Sequence, residues 1–182
     1  MKLFEIKQEF FDGSVKIIAV KGFPDERGYL AVSYLEDSLS DFGIPNKFIR
    51  EMQTRSKKNV LRGLHFQLNP PMGKLIQVIH GSVFVAVVDI RTGSSTFLKH
   101  RTFELSDMIP SLVWIPSGFA LGYYTLEPDT IMHYKCDAYA GQDHAITWND
   151  PDINIQWPTT NPILSERDED ASRAWAHFWW KK

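Results

Sequence analysis

A single cysteine, Cys136, stands among 182 residues, so the chain has no internal disulfide and fits a reducing compartment. Long apolar runs are also missing, and nothing approaches the roughly 20 apolar residues that a membrane helix needs. The opening MKLFEIKQEF spreads charge through every turn and does not read as the apolar stretch of a signal peptide. Basic clusters are scarce: the formal net charge is −2, and Lys57-Lys58 and Lys181-Lys182 are the only lysine pairs. That is too little for a nucleic-acid footprint. The six histidines include no His-x-His spacing, which argues against a bound transition metal. No glycine-rich phosphate loop is present, and Cys136 lies in no nucleophile signature. These absences leave a cytoplasmic, soluble protein as the expectation, with no metal and neither nucleic acid nor membrane as partner.

What is present is an ordinary globular composition, 43% apolar and 23% charged, of a length suited to a single domain over residues 1–182. Short segments rich in β-branched and aromatic residues read as strands: 14–20, 46–53, 74–81, 82–90, 100–105, 111–116 and 130–136. Turn signals such as His80-Gly81-Ser82 and Arg91-Thr92-Gly93 separate them. Strands at roughly ten-residue spacing with few helices between them predict an all-β sandwich or jelly roll. The stretch 34–43 suits a short helix. In the tail, Ala171, Ala174, Trp175, Phe178 and Trp179 share a helical face, predicting a C-terminal helix over 165–180. Ser165 would cap it, with Asp168 as the acidic partner of a capping box.

The segment VLRGLHFQ (60–67) sets Arg62 and His65 inside an apolar run. In an unbroken strand the two would face opposite ways. A bulge at Gly63 would slip the alternation and turn both toward one cavity. A surface arginine and a hydrogen-bonded core histidine would account for the same residues. In TIMHYKC, Tyr134 shares the mainly apolar face with Met132 and Cys136, and a buried phenol needs a polar partner. In KLIQVIH, Lys74 shares a face with Ile76 and Val78, either snorkelling at a strand end or acting as a cation in a cavity.

Seven segments occur in order: DERGYL (25–30), VLRGLHFQ (60–67), GKLIQVIHGSVFVAVVDIRTGSSTF (73–97), WIPSGFALGY (114–123), YKC (134–136), WNDPDINIQWP (148–158) and LSERD (164–168). Together they resemble the dTDP-4-dehydrorhamnose 3,5-epimerase family. The resemblance implies a cupin-type double-stranded β-helix, a homodimer with exchanged strands, and no metal or organic cofactor. It implies inversion of C3 or C5, or both, beside the 4-keto group of a nucleoside-diphosphate-linked 6-deoxy sugar in deoxysugar or polysaccharide biosynthesis. Carried over residue by residue, His65 is the base and Asp168 its partner. Tyr134 is the proton donor, and Lys74 lies beside the keto oxygen. Arg62, Arg27 and Arg167 match cations that meet the diphosphate, and Tyr139 matches a substrate-binding tyrosine.

Departures from the family pattern are concentrated. Tyr29-Leu30-Ala31-Val32 follows DERG in place of two aromatics and a glutamate. FIREM, with Arg50-Glu51-Met52, replaces an FVQDN-like strand. GFALGY replaces GFAHGF, with Leu121 for histidine, and the tyrosine pair after YKC is reduced to Tyr139 before Ala140. Substrate-contacting positions change while the acid–base positions stay, which points to a different nucleotide sugar. A sugar 3,4-ketoisomerase of the same fold and a non-catalytic nucleotide-sugar-binding cupin are the alternative readings.

Overall fold

Alternating β-branched, aromatic and polar residues favour pleated backbone with one buried face, and the computed structural model answers with two facing antiparallel sheets. It describes residues 2–45, 47–139 and 141–171. The six-stranded sheet runs β1 (Phe4–Phe10), β2 (Val15–Val20), β10 (Ser111–Ile115), β7 (Lys74–His80), β12 (Thr130–Cys136), β5 (Arg50–Ser56). The five-stranded sheet runs β13 (Asp143–Ala145), β6 (Leu61–Gln67), β11 (Phe119–Thr125), β8 (Ser82–Asp89), β9 (His100–Ser106). A separate hairpin pairs β3 (Gly22–Asp25) with β4 (Gly28–Ala31). This is the jelly roll that the strand spacing predicts.

Three apolar clusters explain why the strands read so differently. Val83, Val85 and Val87 of β8 face between the sheets and meet Ile76, Val78, Val113, Ile115 and Met132. Ala86 and Val88 of the same strand point the other way, onto Ile146, Ile153 and Ile155 of the segment that crosses the outside. Buried on both faces, β8 has no need of alternation. The outer face of the six-stranded sheet is covered in turn by Leu39 and Ile44, packed against Leu75, Leu112 and Trp114.

Some boundaries differ from the sequence reading. The strand expected at 46–53 begins at Arg50 and continues to Ser56, following its pairing with β12. The helix expected over 34–43 contracts to α1 (Glu36–Ser40), closed off by Gly43 at a φ of +71°. The tail helix expected over 165–180 shows one turn, α2 (Glu166–Glu169), with Ser165 as its cap. Among the described residues the turn closes at Asp170. Residues 172–180 lie outside the described residues. Strands β1 and β11 went unread, β1 because its exposed face is charged and β11 because a Pro-Ser-Gly turn and Gly122 interrupt its pattern.

Candidate active site

Strand β6 carries the slip that the sequence suggests. Its neighbour β11 pairs Leu121 with His65 and Tyr123 with Arg62, so three steps on β6 oppose two on β11. Gly63 makes the bulge possible. Its φ is +122°, and a Cβ there would come within 2.6 Å of both the Gly122 Cα and the Leu121 carbonyl. Arg62 and His65 consequently both line one cavity of about 210 Å³, with Leu121 and Tyr123 beside them. The opposite wall comes from the other sheet: Lys74 on β7, Tyr134 on β12, and Met52 and Thr54 on β5. Gln67, Asp143 and Arg167 complete the lining.

Asp168 reaches His65 because the end of the chain returns alongside β6. Ile163 accepts from the Leu61 N–H and donates to the Asn59 carbonyl, which brings α2 beside the strand. His65 Nε2 then lies 2.5 Å from Asp168 Oδ1. Ser165 Oγ donates to Asp168 Oδ2 at 3.0 Å and accepts from the Asp168 N–H at 3.3 Å, so the hydroxyl that caps the turn also steadies the carboxylate that holds the imidazole. Burial pushes the Asp168 carboxyl up. The His65 contact, the Ser165 hydroxyl and the Gly63 N–H outweigh it and hold the group below the usual carboxylate range. An ionised carboxylate only accepts, so Nε2 carries the proton and a neutral His65 keeps its lone pair on Nδ1.

Lys74 and Tyr134 are each only 5% exposed. Burial lowers the Lys74 ammonium to about 8, against the partly compensating fields of Cys136, Asp143 and Asp137. Its Nζ reaches the His65 carbonyl at 3.5 Å. Burial raises the Tyr134 phenol well above its ordinary range; the adjacent Tyr123 adds to the shift, while Thr54 and Arg62 oppose it. At neutral pH Tyr134 is thus a proton-bearing phenol and Lys74 a cation ready to lose its charge on modest alkalinisation.

The four arginine and tyrosine candidates for substrate binding divide. Arg62 donates to Ser56 Oγ at 3.1 Å and Arg167 pairs with Asp143, both at the cavity. Arg27 instead sits at the tip of the β3–β4 hairpin, paired with Asp25 at 2.6 Å in the open, and does not reach its own chain's cavity. Tyr139 is 68% exposed beyond β12 and also stands outside. Thr54, Tyr123 and Asp143 line the site without having been singled out from sequence. The alternation of β11 would have flagged Tyr123, two residues from Leu121; Asp143 lies on a three-residue edge strand too short for any pattern. A second hollow of about 290 Å³ opens on the outer side of β7 and β12, where His133 and Lys135 both meet Glu51.

The family model for dTDP-4-dehydrorhamnose 3,5-epimerase matches residues 13–174. The chain belongs to the dTDP-4-dehydrorhamnose 3,5-epimerase family. It is 37% identical to the Methanothermobacter thermautotrophicus enzyme of that name, over 93% of this chain and 94% of the other. The structure of the Legionella pneumophila epimerase in complex with dTDP-4-keto-L-rhamnose is similar at a TM-score of 0.88 and 37% identity, covering 93% of this chain and 92% of that one. A Bacillus anthracis family member, solved with TDP and pyrophosphate bound, gives a TM-score of 0.89 at 36% identity, covering 92% and 98%. Membership in this epimerase family makes the chain an isomerase with the cupin jelly roll of its relatives.

Proposed function

We propose that the chain inverts one or both carbons flanking the 4-keto group of a nucleoside-diphosphate-linked 6-deoxy sugar. The observation that carries this reading is a histidine–carboxylate pair and a buried phenol set in opposite sheets and lining one cavity. His65, oriented by Asp168, takes the proton α to the ketone. The developing enolate oxygen is stabilised by the Lys74 ammonium, which costs little reorganisation because the cation is already buried. Tyr134 returns a proton from the other wall, and the centre is inverted. A protein that only binds the sugar has no use for a base and an acid on facing walls.

The remaining lining suits the rest of the ligand. Arg62 and Arg167 provide guanidinium forks for the diphosphate. Gln67 Oε1 is buried with no hydrogen-bond partner among the described residues, an acceptor that a sugar hydroxyl would satisfy. Leu121 and Met52, on strands adjacent to the base and the acid, favour the C–H and methyl edges of a deoxygenated ring. Arg27 joins a site through a second copy. Its hairpin exposes Tyr29 and Leu30, and Met108 and Ile109 are exposed beside Asp107, whose carbonyl accepts from the Tyr29 hydroxyl. This apolar patch suits a second copy, and in such a homodimer the hairpin tip would carry Arg27 to the partner's cavity.

Incubation with a dTDP-linked 4-keto-6-deoxy sugar in heavy water tests the reading. Wild type incorporates deuterium next to the ketone, and His65→Ala abolishes incorporation while nucleotide binding persists. Incorporation that survives the loss of His65 would overturn the assignment of the base, and a carbonyl found at C3 in the product would favour the ketoisomerase.

A further inference from the structure

Inversion consumes the Tyr134 proton at every turnover, yet Tyr134 is 5% exposed and enclosed by Met52, Tyr123 and Arg62. Something must recharge it. Its phenol shares the cavity with two other hydroxyls, those of Tyr123 and Thr54. These two lie 2.7 Å apart, linking the five-stranded sheet to β5 at the edge of the other. Tyr123 is as buried as Tyr134, at 3%, whereas Thr54 is only half-buried on its edge strand. The three hydroxyls therefore form a graded path from the closed centre to the rim.

We infer that Tyr123 and Thr54 are a proton-return relay for Tyr134, an inference that rests on the epimerase reading of the cavity. The Tyr134 O–H bond breaks as the new C–H bond forms, and the enolate electrons return to the carbonyl. In a concerted shift the Tyr123 proton passes to Tyr134, the Thr54 proton passes to Tyr123, and water at the rim protonates Thr54. The proton that His65 took from the substrate leaves to solvent, so no net charge accumulates. Concerted transfer avoids a free threonine alkoxide. Either oxygen of the Thr54–Tyr123 pair can be the donor, so rotation of the hydroxyls sets the direction of transfer at each turnover.

The test separates proton removal from proton return. In heavy water, Tyr123→Phe and Thr54→Val are expected to keep deuterium exchange at the His65 face while net inversion falls by about tenfold or more. The solvent isotope effect on inversion should rise, because refilling Tyr134 becomes limiting. Thr54→Ser, which keeps the hydroxyl, should restore inversion. The double variant Tyr123→Phe/Thr54→Val should be no slower than the slower single one, as members of one chain are not additive. Equal loss of exchange and inversion, or a Thr54→Ser variant as slow as Thr54→Val, overturns the relay and leaves the epimerase reading standing. Absence of exchange in the wild type with 4-keto sugars overturns both.

Discussion

At the scale of the residue, the site is built from groups that the fold holds away from their ordinary ionisation. Lys74 titrates near 8 when folded, against roughly 10.4 in an unfolded chain. Between those values the unfolded state binds more protons, so this group's contribution to stability rises with pH across about 8 to 10.4, and its charge costs stability below 8. Lys74→Met should therefore raise the denaturation midpoint at pH 7, by a free energy of about 1–3 kcal/mol, while removing activity. The alkaline limb of kcat/KM should fall near pH 8, and Lys74→Arg should move it upward. Asp168 has the opposite sign. Its carboxyl is depressed on folding, so its contribution is fully present above the unfolded value and is lost as pH falls through the folded one. Acid titration of wild type and Asp168→Asn should show the variant lacking that part of the loss, with kcat reduced by about 10²–10⁴-fold and KM little changed.

At the scale of the element, the bulge in β6 matters more than any single strand boundary. It turns Arg62 and His65 to one face, and it depends on a residue without a side chain where β6 and β11 approach each other. Gly63→Ala forces a Cβ against the Gly122 backbone at an unfavourable positive φ, and should cost about 2–4 kcal/mol in denaturant melts. The same change should lower exchange activity in whatever fraction remains folded, because His65 loses its alignment. A Gly63→Ala protein with unchanged stability and activity would mean that the bulge is not what positions the base. The single turn of α2 is the second such element, since its cap fixes the Asp168 carboxylate from behind.

At the scale of the whole molecule, the hairpin carrying Arg27 makes the proposed homodimer testable by complementation. His65→Ala and Arg27→Ala should each impair activity alone. A mixed dimer rebuilds one intact site, from the base of one chain and the arginine of the other. Refolding or exchanging equal amounts should recover about a quarter of wild-type activity, since random pairing makes half the dimers mixed with one good site each. No recovery from a mixture shown to contain mixed dimers would place Arg27 outside catalysis altogether.

Local chemistry was enough to determine much of this protein. β-Branched periodicity announced β7, β8 and β12 with nearly their final bounds, because strands packed between two layers need apolar residues wherever they face one. The Gly63 irregularity, the cap at Ser165, and the motifs around His65, Tyr134, Lys74 and Asp168 were likewise legible along the chain. Tertiary structure alone decided which groups meet. Tyr123 and Thr54 are 69 positions apart, and their contact arises only because two sheets close over one cavity. Asp143 holds Arg167 across 24 residues, and Arg27 is kept from its own site by the placement of a hairpin. Sequence periodicity records which face of an element is buried; it carries no information on what lies across the gap.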